Sequence, residues 1–391
     1  MTVAPGETDF GELHDELRAV ARDLLGSSGG DTVPWRTVCG AGWPGLEAPE
    51  EFGGAGATFA EAAVVLEEIG RAAAGTPLTT VLALTVPALA AVRPEPLRDR
   101  VFSEVVSGGS VPIVVLDGEY VPGPEMSHRL VAPGFRLTHG PSGPTLHGAA
   151  GFVAAAPDAD LLLVPARAED GRVVLAVLEP GAPGVRVEAV PLVDGTRSTG
   201  RVRATDACVR AVWQPRASGD LLVRLLRARA ALALSCDAVG SGSAVLDATV
   251  GYARVREQFG RPIGSFQAVQ HACADMLVRL TVAGQLVAVA VRAVVEATAV
   301  VAAAEVAAVE MAAAELAAAE LAVARAKAYA TSVAVDIAGA GMQLHGGYGY
   351  TWESGLHAHL KRATLSRGLF GSPATHRRSI AARYRSRWQA P

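Results

Sequence analysis

Charge is scarce in this 391-residue chain: Asp, Glu, Lys and Arg make up 19% of it, and the formal balance is only −4. With no cationic excess, nothing pulls the surface toward nucleic acid or an anionic membrane. The late basic runs "HLKRATLSR" and "HRRSIAARYRSR" are read as solvated helix faces, able at most to meet one anionic ligand. Cysteine is equally sparse. Cys39, Cys208, Cys236 and Cys273 lie far apart with no C-x-x-C pair. That spacing argues against a disulfide framework or a structural zinc site and fits a reducing cytoplasm. The opening "MTVAPGETDFGELHDELR" has neither a basic n-region nor an apolar h-region, so it is not read as a signal peptide. The uncharged run Ala72 to Val92 is long enough to span a bilayer. Gly75, Pro77 and Pro87 interrupt it, so a broken, buried helical segment is expected, in a soluble protein.

Half of the residues are hydrophobic, ample for a large core and for two or three domains of roughly 100–200 residues each. Residues 1–107 read as helical. In "ELHDELRAVARDLL", Leu13, Leu17, Val20 and Leu24 form one apolar stripe. "FAEAAVVLEEIGRAAA" is a second helix, reached through the Gly/Pro-rich loop "WPGLEAPEEFGGAGATF". Residues 108–217 change texture: "VPIVVL", "ADLLLVPAR", "RVVLAVLE" and "GVRVEAVPL" are short β-rich runs between turn residues, as in a small sandwich or barrel. Residues 218–391 return to long helices. The fold class is α+β, with helical, β and helical blocks in that order.

The stretch "AAAEVAAVEMAAAELAAAELAVARAKA" is expected to form one long helix, because alanine has the highest helix propensity. Glu305, Glu310, Glu315 and Glu320 recur every five residues and so spiral around the helix, which suits solubility better than a functional row.

The most specific segment is "RVREQFGRPIGSFQAVQHACADM", residues 254–276. It reads as a helix, a tight turn at Gly260-Arg261-Pro262 and a new helix. A glycine-dense loop follows much later in "GMQLHGGYGYTWES", then "LHAHLKRATLSR". Together these segments closely resemble the acyl-CoA dehydrogenase family, and the resemblance spans nearly the whole chain. It implies an N-terminal α domain, a middle β-barrel or sandwich domain and a C-terminal helical bundle that carries FAD and the oligomer interface. It also implies α,β-dehydrogenation of an acyl thioester on CoA or a carrier protein, with an electron-transfer partner. Carried over by motif, Arg256 meets the FAD pyrophosphate and Phe259 packs on the adenine, both across a subunit interface. Gln258, Phe266 and Gln267 are neighbouring contacts. Gln343, Leu344, His345, Gly346 and Gly347 form the second cross-subunit segment. The side-chain chemistry agrees: a guanidinium suits paired phosphate oxygens, and Gly-Gly lets backbone N–H groups approach an anion.

The chain departs from the family where the catalytic base should stand. The usual glutamate position is Phe370, before Gly371, and the alternative helix position is Ala230. Glu353 reads as a structural cap, His357 and His359 as helix-surface histidines, and Asp275 as a packing residue. In the β domain, "VVLDGEYVPGPEMSH" stands where the family holds the flavin ring, and Phe152 stands where a tryptophan is usual. Three readings follow. The chain is the base-lacking subunit of a heteromer with a related subunit, a homo-oligomeric flavoenzyme with altered oxidation chemistry in secondary metabolism, or a non-catalytic binding protein. Arg256, Gln258 and the Gly346-Gly347 loop argue against the last. Between the first two the sequence does not decide.

Overall fold

A computed structural model describes residues 10–26, 32–118, 134–140, 143–304 and 308–388. The first block is helical: α1 (Phe10–Gly26), α2 (Trp35–Gly40), α3 (Phe59–Arg71), α4 (Leu78–Thr80), α5 (Val86–Ala91) and α6 (Pro96–Ser107). Thr58 and Glu61 close a capping box that starts α3, satisfying amides that the first turn leaves open. The run from Leu78 to Ala91 is broken as expected. Its middle, Val81–Thr85, is a π-helical turn, and all five of those residues are buried.

The second block is one eight-stranded sheet, β1 (Pro112–Val114), β2 (Phe135–Gly140), β3 (Gly143–Ala154), β4 (Leu161–Arg167), β5 (Val173–Leu178), β6 (Val185–Ala189), β7 (Thr199–Cys208) and β8 (Ala211–Trp213). Its order is β6-β7-β3-β2-β4-β5-β8, with β1 added beside β4. Among the described residues no ladder joins β6 to β8, so the sheet stays open there. Strand β5 is buried throughout and β4 is buried as far as Ala166; a pleated strand sends alternate side chains to opposite faces. Leu162, Val164, Val174 and Ala176 enter the sheet's own core. Leu161, Leu163, Val173 and Leu175 enter the core shared with the helices.

The third block is built on three 37-residue helices, α7 (Gly219–Val255), α8 (Gln267–Ala303) and α9 (Val309–His345), followed by α10 (Leu356–Gly368) and α11 (Pro373–Trp388). Helix α7 lies against α3 at backbone contact distance. A Cβ at Gly240 would meet Glu67 O at 1.8 Å, and one at Gly70 would meet Asp237 O at 2.1 Å. Only glycine permits that approach.

Two expectations are corrected. The alanine–glutamate tract is not one helix: α8 ends at Ala303, Ala304 is extended, and α9 begins at Val309. Alanine favours helix equally on both sides, so propensity cannot locate a reversal that packing of α8 along α9 imposes. Glu305 lies outside the described residues. Glu320 is no mere solubilising residue, since Arg224 on α7 grips both of its oxygens at 2.8 and 2.7 Å. The turn after α7 is also different. Strands β9 (Glu257–Gln258) and β10 (Arg261–Pro262) form a tiny hairpin, with Phe259 (φ +54) and Gly260 (φ +75) at its tip. Positive φ at both central residues is the type I′ pattern that suits hairpin twist.

Candidate active site and cofactor face

Where the three blocks meet, an open pocket of about 970 Å³ is lined by the broken helical segment (Thr76, Thr79, Thr80, Ala83, Leu84), Ala154 and Ala155, the loop Gly195–Thr199, Ala230, Ala233 and Leu234 of α7, and Arg362, Leu369 and Phe370. The two positions proposed from motif for a base, Ala230 and Phe370, thus face one cavity. Neither offers a proton acceptor. Asp158 is the only carboxylate among the lining residues, and it accepts a short hydrogen bond from Ser198 Oγ. Phe152 does not line the pocket, and Ala154 and Ala155 form that wall. Of the altered loop, Val114 to Gly118 is described and the rest is outside the described residues. Gly118 N–H donates to Phe152 O at 2.9 Å, and its carbonyl accepts from Phe370 N–H at 2.8 Å.

The floor is a buried ion cluster. Arg362 holds Asp237 through Nε at 2.9 Å and Nη2 at 2.6 Å, and its Nη1 donates to Ala74 O and Thr196 Oγ1. Arg197 adds a bond to Asp237 at 2.7 Å and one to Ser366 Oγ at 2.8 Å. Burial alone would raise the Asp237 carboxyl, but Arg197 and Arg362 overrule it and hold it below the ordinary carboxylate range. Nearby, burial pushes the Lys327 ammonium down to about 7, with Arg197 adding repulsion. Motif reasoning missed this cluster. Its signal was Asp237 itself, a charge set inside the apolar run "LALSCDAVGSG".

Several side chains take other duties than expected. His359 is no surface histidine: its Nδ1 lies 3.0 Å from Ser241 Oγ, and burial, then Arg362, lowers it to about 4. His376 is lowered to about 4 by burial and then by Lys327. His357 packs edge-on against Trp352 at 4.1 Å. Glu353 caps no helix; its exposed carboxylate bonds its own backbone N–H and Thr351. Asp275, expected to serve packing and hydrogen bonding, is exposed on α8 in the single chain.

Those two low histidines fix a stability window. Folded His359 and His376 stay neutral where the unfolded chain, near 6.5, binds protons. Stability is therefore intact above pH 6.5 and lost as pH falls toward 4, with a slope of about 1.4 kcal/mol per pH unit for each histidine. Thermal midpoints measured from pH 7 to 4.5 should fall, and His359→Gln/His376→Gln should flatten the decline.

A second site lies on the bundle surface. Tyr252 stacks on His345 at 4.3 Å and runs parallel to Tyr348 at 5.9 Å, which brings the end of α7 beside the Gly346–Tyr350 turn. Arg256, Gln258, Gln267 and Gln343 are exposed there. Phe259 is 91% exposed at its hairpin tip, with Phe266 edge-on to it at 6.2 Å. Leu344 and His345 turn inward instead, and His345 Nδ1 bonds Gly341 O at 2.8 Å. Gly346 takes φ +60, ψ −143, a region that essentially only glycine enters. A free guanidinium, three amide side chains, an aromatic face and a glycine-exposed backbone fit a dinucleotide with its phosphates and adenine.

Comparison with known proteins decides the family. The acyl-CoA dehydrogenase N-terminal domain model matches residues 13–109, and the C-terminal domain model matches residues 222–384. The chain belongs to the acyl-CoA dehydrogenase family. Acyl-CoA dehydrogenase IpdE2 of Mycobacterium tuberculosis is 30% identical over 97% of this chain and 94% of its own length. The solved ChsE4-ChsE5 complex of the same organism contains a chain at TM-score 0.77 and 24% identity, covering all of both chains. Butyryl-CoA dehydrogenase of Megasphaera elsdenii aligns at TM-score 0.78 and 20% identity over 98% of this chain and all of its own. This acyl-CoA dehydrogenase-family chain is thus an oxidoreductase-type protein with FAD as its cofactor.

Proposed function

We propose that the chain is the base-lacking subunit of a heteromeric acyl-CoA dehydrogenase that acts on an acyl thioester, its partner being a related subunit. The observation that carries the reading is that Phe370 and Ala230, the two positions where the family places its base, line one pocket with side chains that cannot accept a proton. Removal of a thioester α-proton needs a base within hydrogen-bond reach, and among the described lining residues the one carboxylate is Asp158, which accepts a hydrogen bond from Ser198 Oγ. FAD, when bound, would supply hydride-accepting chemistry for the substrate's β-carbon. In this chain Arg256 would hold the pyrophosphate, Phe259 would stack on the adenine, and Gln258, Gln267 and Gln343 would contribute amide contacts, all toward the FAD of a neighbouring subunit.

The bundle surface supports an oligomer. Helix α8 is long and apolar enough to cross a membrane by composition, yet only 33% of its most apolar window is buried within the chain. Leu277 and Val278 stand 55% and 63% exposed. An apolar face of that extent beside Phe259 is suited to a second subunit. The solved ChsE4-ChsE5 complex, made of two chain types, has a chain of the same fold.

Arg256→Ala should lose charge-assisted phosphate contacts worth about 1.5–3 kcal/mol, weakening FAD binding roughly 10- to 150-fold. Equilibrium dialysis of FAD against the assembled oligomer measures this. Unchanged affinity would remove Arg256 from the cofactor site. Co-expression with a family member that carries the usual glutamate tests the heteromer: a stable mixed complex is expected, and a chain that stays homo-oligomeric in its presence would refute it.

A further inference from the structure

The loop bearing Phe370 is gripped from behind. Phe370 has φ +51, a left-handed conformation that a bulky residue keeps only where its surroundings impose it. Lys327 Nζ donates to Ser366 O at 2.6 Å and to Gly371 O at 3.3 Å. His376 Nε2 lies 3.1 Å from Phe370 O. A carbonyl can only accept, so that nitrogen carries the proton. The same ring sits against Gly371, where a Cβ would meet Nε2 at 2.7 Å. Lys327 is fully buried, and backbone carbonyls are its acceptors among the described residues. Neither Lys327 nor His376 lines the pocket, so neither is there for substrate contact. A buried ammonium without a carboxylate partner is costly, and what it secures here is the Ser366 carbonyl at the end of α10 and the Gly371 carbonyl in the loop that follows, tying the loop to the helix. Phe370 itself lines the pocket.

We infer that Lys327 and His376 are positioning residues that lock the Phe370–Gly371 backbone, making Phe370 a rigid aromatic wall that limits the size of the acyl group admitted. The clamp stands on geometry alone; the size limit rests on the acyl-thioester reading above. The clamp is tested on the full chain by hydrogen exchange in peptides spanning 366–375. Lys327→Met and His376→Leu should speed exchange of the Phe370 amide at least tenfold while α3 and α8 keep wild-type rates. His376→Gln, which retains an N–H donor, should restore slow exchange. Unchanged exchange in the first two variants, equal acceleration throughout the chain, or a His376→Gln that behaves as the leucine variant would overturn the clamp. The wall is tested by calorimetric binding of butanoyl-CoA and cyclohexanecarbonyl-CoA. Phe370→Ala should shift the affinity ratio at least tenfold toward the cyclic thioester. An unchanged ratio would overturn the wall. No binding of either thioester to wild type or variant would overturn the acyl-thioester reading and the size limit with it, leaving the exchange result to judge the clamp.

Discussion

Asp237→Asn should destabilise the chain by roughly 3–5 kcal/mol, because it removes the one anion that Arg197 and Arg362 share and leaves both cations buried. The Asp237 side chain is 1% exposed, and its partners Arg362 and Arg197 are 1% and 14% exposed. Denaturant midpoints provide the measurement, with Glu320→Gln as the control. Glu320 also binds an arginine bidentately, but its side chain is 33% exposed, so its loss should cost about 1 kcal/mol or less. Equal effects of the two substitutions would mean that burial does not set the value of these pairs.

The second large effect is a gain. Phe370→Glu should allow acyl-CoA thioesters to bleach the flavin of the loaded protein, faster than wild type by about the 10²–10⁴-fold that a positioned general base contributes. Residue 370 already lines the pocket, and its backbone N–H is held by Gly118 O. Anaerobic stopped-flow absorbance reads the rate. A folded, FAD-loaded, thioester-binding variant that still fails to bleach would show that position 370 does not face the reacting carbon.

Much of this was legible in the sequence, for identifiable reasons. The order of blocks followed from the change of hydrophobic period, and the break in Ala72 to Val92 from its glycine and prolines. The exposed set Arg256, Gln258 and Phe259 was singled out by its resemblance to a family motif, and the structure shows it exposed at the end of α7 and the hairpin that follows. Other features were hidden by the physics that produces them. The α8–α9 reversal lies in an alanine tract with no local stop signal, so tertiary packing alone sets it. The hairpin tip fell one residue earlier than expected because Phe259 accepts a left-handed φ that sequence statistics discourage. The inward turn of His345, the burial of His359 and the Arg197–Asp237–Arg362 cluster depend on contacts between residues far apart in the chain.

The central claim is that this chain presents cofactor-binding residues but supplies no base. It is tested most directly by mixing the FAD-loaded wild-type protein, purified without any other family member, with a series of acyl-CoA thioesters under anaerobic conditions while flavin absorbance is followed. The account expects the oxidised spectrum to persist with every thioester that binds. Rapid bleaching by the protein alone would contradict it, since some group other than Phe370 or Ala230 would then be removing the proton.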